Sequence, residues 1–288
     1  MTAVLALATS LMWGLADFGG GLLTRRIPAL TVVVVSQVLA AAVLGAVVVA
    51  TGGLAEAGPR LWFAVAAGVV GPLAMFAFYQ ALALGPMGVV SPLGAVGAVI
   101  VPIGVGLALG ERPGWAQGLG VLVAVVGVAL ACGPRTGGNP VARKTVLLTL
   151  VSAFGFGTVM ALIEHASTTV VGLFLALFVQ RVLNVLVGGA ALAVRGLRGG
   201  RLLPDGGPKA LRSALPALAL VGLADVAANG TYALAARNGP VTVAAVLASL
   251  YPVVTALAAR GFLRERMLRV QALGAGLALA GTVLLATA

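Results

Sequence analysis

Residues 85–127 read GPMGVVSPLGAVGAVIVPIGVGLALGERPGWAQGLGVLVAVVG, and residues 239–281 read GPVTVAAVLASLYPVVTALAARGFLRERMLRVQALGAGLALAG. Laid over one another at an offset of 154 residues, with no gap, they match Gly85-Pro86 with Gly239-Pro240, Glu111-Arg112 with Glu265-Arg266, and Gln117 with Gln271. Gly120 with Gly274 and Gly127 with Gly281 follow in the same frame. Polar residues fall on polar ones, which apolar composition alone does not produce, so the chain carries an internal duplication. At an offset of 143, Trp13-Gly14 meets Phe156-Gly157 and Gln37 meets Gln180. The duplication therefore reaches back to the first helix.

The solvent of this chain is a bilayer. Of its 288 residues 61% are hydrophobic and 9% charged, where a soluble domain carries about 25% charged residues. Apolar runs of the length that crosses a hydrocarbon core recur at 2–23, 29–51, 60–83, 86–109, 114–132, 145–165, 168–194, 211–235, 240–262 and 268–287. The expected fold is an all-α membrane protein with ten transmembrane helices. The first repeat covers 1–133, a Gly- and Pro-rich linker 134–144, and the second repeat 145–288. Five crossings per half is an odd number, so the second repeat is expected to be inverted relative to the first. The 41 glycines suit helices that approach closely.

The net charge of +11 sits in short connectors rather than on one soluble surface. Anionic lipid headgroups, not nucleic acid, are the partner this implies. The connectors after helices 1, 5, 7 and 9 hold fourteen basic residues, among them Arg25, Arg26, Arg143, Arg195, Arg198 and Arg264, whereas the opposite face holds Arg60, Arg112 and Arg237. By the positive-inside rule both termini lie outside the cytoplasm. Residues 1–23 have no basic residue ahead of their apolar run and have an internal counterpart, so they read as a retained helix and not a signal peptide. Cys132 is the sole cysteine, which excludes an intramolecular disulfide.

Ionisable groups at membrane depth are functional candidates, because each is costly unless paired or hydrated. Asp17, Arg181 and Asp225 are the three. Asp225, Asn229 and Tyr232 recur at i, i+4 and i+7, on one helix face. The aligned positions of the first half are Gly71, Met75 and Phe78, an apolar wall. Gln180, Arg181 and Asn184 fall within one turn, and Arg181 and Asp225 make the obvious ion pair. The pair is either a structural bridge or a substrate site, with Arg181 on a carboxylate and Asp225 neutralising an ammonium group or titrating. Trp13 and Asp17, four residues apart, place an indole and an acid on one face, which suits a cation. Two turns from the span end, Asp17 can instead snorkel to headgroups. Gln37 and Gln180 are symmetry-related, and Tyr79, Tyr251, Ser91 and Ser249 complete the polar set.

Pro72, Pro92, Pro102, Pro216 and Pro252 interrupt apolar spans and allow bends. Glu111 and Glu265 stand beside Arg112 and Arg266 as interfacial caps or pairs. A lone histidine, His165, makes no metal site. No GxxxxGK[ST] motif is present to hydrolyse ATP. No cofactor or metal is expected, and no catalytic residue is assigned.

The duplicated halves, the aromatic-Gly near the start of each, and the run from Gly-Pro through Glu-Arg to Gln and Gly resemble the EamA family of the drug/metabolite transporter superfamily. The second half matches best, at Ala235, Gly239-Pro240, Pro252, Glu265, Gln271, Gly274 and Gly281. In the first half Ala98 stands where Pro252 has its counterpart, and Pro102 is displaced by one turn. The resemblance implies a multi-pass inner-membrane secondary transporter, an exporter of amino acids or similar metabolites, and not an enzyme. It would be driven by the substrate gradient or by protons. A drug or cation/proton antiporter, a non-transporting receptor and a lipid-acting enzyme are the alternatives. Family members mostly keep both termini in the cytoplasm, opposite to the charge count.

Overall fold

The computed structural model describes residues 1–108, 114–132, 142–238, 241–265 and 268–287. Glu111-Arg112, Gly239-Pro240, Arg266 and most of the expected linker lie outside the described residues. The first half folds as α1 (Thr2–Thr24), α2 (Ala29–Ala50), α3 (Leu61–Leu84), α4 (Met87–Ala108) and α5 (Trp115–Cys132). The second folds as α6 (Arg143–Ala166), α7 (Val170–Leu197), α8 (Gly207–Arg237), α9 (Val241–Ala248), α10 (Tyr251–Leu263) and α11 (Arg269–Thr287).

Helix ends follow local chemistry. Pro28 opens α2, and Gly85 in extended conformation closes α3 just ahead of Pro86. Thr169 caps α7, its hydroxyl accepting the Gly172 N–H at 2.9 Å. The expected ninth span is not continuous: a turn at Ser249-Leu250 separates α9 from α10, with Pro252 in the first turn of α10. Proline has no N–H for the carbonyl four residues earlier, so the ladder opens there. The equivalent α4 runs unbroken.

Among the described residues, seven helical stretches are long and apolar enough to cross a bilayer: α1, α2, α3, α6, α7, α8 and Val246–Leu263. The apolar helices α4, α5 and α11 have 22, 18 and 19 residues. Large side chains point outward, as with Val4, Leu7, Leu11 and Leu15 of α1, while α1 buries Ala6, Thr9, Gly14, Ala16 and Gly20. In lipid, burying leucine between helices gains little, so small residues that let backbones touch occupy the seams.

Most of the packing of one half on the other repeats on exchange; the contact of α4 with α11 is the exception among the described residues. α3 packs on α6 as α8 packs on α1, and α4 on α6 as α9 and α10 on α1. α2 packs on α7 and α5 on α11, each with its own equivalent. Single residues follow the same rule. Gly127 abuts the backbone of Gly274 and Ala278, and Gly281 abuts that of Ala124. Gly68 sits on the Gln180 carbonyl and Leu183, and Gly222 on the Ser36 carbonyl and Ala40. Gly14 meets the Tyr251 carbonyl and Gly157 the Gly97 carbonyl. Each pair is one contact at the two offsets found in the sequence, save that the carbonyls of Gln180 and Ser36 differ by one position. Along α5 and α11 numbers rise on one helix as they fall on the other, so they run antiparallel. So do α2 and α7, where Val34 touches Gly188 and Gly45 touches Phe178.

Candidate substrate site between the halves

Side chains from both halves converge on one cluster. From the first half come Trp13 and Asp17 on α1 and Tyr79 on α3; from the second come Arg181 on α7, Asp225, Asn229 and Tyr232 on α8, and Tyr251 on α10. Trp13 is the hinge of its aromatic part, with ring centroids 5.9 Å from both Tyr232 and Tyr251. Gly14 lets α1 lie against the Tyr251 backbone, and Thr255 donates to the Gly14 carbonyl at 3.1 Å. Thr9 and Thr231, 2.9 Å apart, tie α1 to α8 one turn before Trp13.

The charged part lies beside it. Arg181 Nη2 stands 2.6 Å from Asp225 Oδ2. Asn229 donates to the Asp225 backbone carbonyl at 2.7 Å and to Oδ1 at 3.3 Å. Asp225 is thereby held by an ion pair on Oδ2 and a hydrogen bond on Oδ1, which offsets the cost of an acid away from water. α1 and α8 run antiparallel, Thr9 beside Thr231 and Gly19 against Val221, which sets Asp17 and Asp225 at about the same level of that seam. The Tyr79 ring packs on Gly20, one turn after Asp17. Asp17 turns inward and does not snorkel: its Oδ2 is buried and, among the described residues, has no hydrogen-bond partner.

Gln37, Gln180 and Asn184 form a separate group. All three are buried in the seam of α2 and α7 against α3. The side-chain amides of Gln37 and Asn184 bond at 3.0 Å. With the Asn184 amide turned over, its nitrogen donates to the carbonyls of Gly68 at 3.0 Å and Gln180 at 3.3 Å, and a matching turn of the Gln37 amide keeps the bond between the two side chains. Gly71 leaves the space that Asn184 fills. The expected apolar wall on α3 is thus divided: Gly71 meets this seam, Met75 and Phe78 join the core, and the neighbouring Tyr79 lies against Gly20 of α1, one turn from Asp17. Among the described residues Ser91 is buried with its hydroxyl unpartnered, and Ser249, in the turn after α9, donates to the Val246 carbonyl.

One polar contact had no signal in the sequence. Glu265 pairs with Arg25 at the end of α1 (2.8 Å) and accepts the Met87 N–H that opens α4 (2.9 Å). Its expected partner, Arg266, lies outside the described residues. Beside this clasp a recess of about 350 Å³ is lined by Ala83, Leu84, Gly85 and Pro86. A second, apolar recess of about 230 Å³ lies between α4, α5 and α6, lined by Leu93, Ile100, Val125 and Phe154 among others. Neither borders the charged cluster. No group of three or more metal-ligating side chains occurs among the described residues.

A helical bundle with lipid-facing leucines, matching halves and a charged cluster between them is a multi-pass membrane protein. The family model described as the EamA-like transporter family matches residues 1–133 and 143–287. The chain belongs to that family, and is a membrane transporter of the drug/metabolite superfamily. A solved structure described only as "Crystal structure of protein" shares the fold, with a TM-score of 0.57 at 18% identity over 98% of this chain and 95% of that one. No curated protein matches.

Proposed function

We propose that the chain is a secondary transporter of small charged metabolites such as amino acids, working as an exporter by alternating access between two inverted five-helix repeats in the inner membrane. One observation carries the reading: the antiparallel, exchangeable contacts of α5 with α11 and of α2 with α7 leave the charged cluster between the halves. A two-fold axis in the membrane plane makes the inward-open and outward-open forms near-equivalent packings of the same seams. Ten crossings follow if α9 and α10 form one broken span, and the basic connectors then face the cytoplasm.

Within this reading Trp13, Asp17, Tyr79, Arg181, Asp225, Asn229, Tyr232 and Tyr251 line the path, while Gln37, Gln180 and Asn184 lock the α2–α7 seam beside it. The Arg181–Asp225 pair fixes the field at the centre of the site. The test is exchange of labelled amino acids in proteoliposomes, with an imposed pH gradient, for wild-type protein and Asp225→Asn. Uptake into preloaded vesicles that is lost in a folded Asp225→Asn protein supports the reading; ligand binding without counterflow under any gradient overturns it. An alkaline phosphatase fusion at the C terminus is expected to be active if the basic connectors are cytoplasmic.

A further inference from the structure

The cluster between the halves holds two carboxylates and one guanidinium. Asp225 is engaged by Arg181 and Asn229, whereas among the described residues the buried Oδ2 of Asp17 has neither an ion pair nor a hydrogen bond. The helices packed against α1 bring no second cation to it. Among their described residues α2, α4 and α9 carry no titratable side chain; α3 brings Tyr79, and α8 brings Asp225 and Tyr232. Lys209, Arg212 and Arg237 sit near the ends of α8, and Arg260 of α10 is exposed, more than two turns beyond Tyr251. A carboxylate at this depth with no protein counter-charge needs either a proton or a cation from outside the chain.

The rings beside it say what kind of cation. Trp13, one turn before Asp17 on α1, stands between Tyr232 and Tyr251, and all three are only partly buried. Their faces attract an ammonium group and pack the apolar body attached to it. We propose that Asp17, rather than Asp225, is the cation position of the site: it binds the ammonium group of the substrate, and in its absence a proton, so that each displaces the other. The balance is simple. The Asp17 carboxylic acid loses its proton to water as the ammonium arrives, the carboxylate–ammonium pair forms, and no covalent bond to carbon changes. The proposal rests on the transport reading for its consequence, exchange of amine for proton, but the binding event is testable alone.

The full chain with Trp62→Phe and Trp115→Phe, both exposed positions, leaves Trp13 as the one indole reporter. Two probes share a skeleton and differ in charge: 2-phenylethylamine and 3-phenylpropionate. The amine is expected to change Trp13 fluorescence, to bind about tenfold more weakly per pH unit on the acid side, and to release about one proton per molecule bound in weakly buffered solution. Asp17→Asn is expected to weaken amine binding by at least about tenfold and to abolish proton release, and Asp17→Glu to restore both. Equal binding of phenylpropionate, amine binding without proton release, or full affinity in Asp17→Asn overturns the proposal. Should Asp17→Asn fail to elute as a single species, the pH dependence and proton release of the parent decide. Binding with proton release but no flux in proteoliposomes upholds Asp17 and overturns the transport reading. Amino-acid exchange that Asp17→Asn leaves unchanged keeps the transport reading and removes Asp17.

Discussion

The two halves share a skeleton and differ in what they hang on it. The close glycine contacts are the same on exchange: Gly14 with Gly157, Gly68 with Gly222, Gly127 with Gly281. The ionisable residues are not. Where the second half has Arg181 the first has Val38, and where it has Asp225 the first has Gly71; Asp17 in turn faces Met160 as its counterpart. α4 is one helix and its equivalent is two. Packing between backbones tolerates no difference because it has no slack, whereas a charge needs a partner at one place only. Symmetry is thus kept by the seams and broken by the site.

Making the second half resemble the first tests this division most severely. Asp225→Ala leaves Arg181 buried without its acid and is expected to destabilise the protein by about 3–5 kcal/mol, read as a fall in thermal stability in detergent. Arg181→Val combined with Asp225→Ala restores the first half's chemistry. It is expected to recover most of that stability while exchange in proteoliposomes stays absent. A double variant as unstable as the single one breaks the comparison.

The seams come next. Gly157→Val drives a side chain into the Gly97 carbonyl and Val101, and Gly14→Val into the Tyr251 carbonyl and Val254. Each is expected to cost about 1–3 kcal/mol or more. The two losses in melting temperature should agree closely if the halves are held alike. Pro252→Ala gives α10 back its N–H and makes the broken span resemble α4. Stability should rise by about 1 kcal/mol, with slower exchange, measured as initial rates at equal protein loading. The smallest effect belongs to the clasp at the basic end. Arg25 and Glu265 keep side-chain exposures of 32% and 17%, so Arg25→Gln should cost no more than about 1 kcal/mol, less in high salt. Glu265→Gln, which also weakens the bond to the Met87 N–H, should cost more.

What the sequence made legible follows the same line. A helix that spans lipid is written in twenty consecutive residues, and a repeat is written twice, so most helical segments and the two offsets could be read directly, while the break between α9 and α10 could not. The stripe of Asp225, Asn229 and Tyr232 was legible because one helix face is a local property. Which way Asp17 turns was not, because snorkelling and inward packing fit the same distance from a helix end. Nor was the partner of Glu265, which lies 240 residues away at the end of α1 and is chosen by how the ends of three helices meet. Pro252 marked a bend, but only the packing of α1 beside it shows that the bend opens next to Trp13.

Because most contacts between the halves map onto themselves when the halves are exchanged, the molecule resembles a pseudo-homodimer whose covalent link chiefly raises local concentration. Residues 1–132 and 143–287 made as two polypeptides carry every matched seam glycine between them. Co-expressed, they have what they need to find one another as split-protein fragments do.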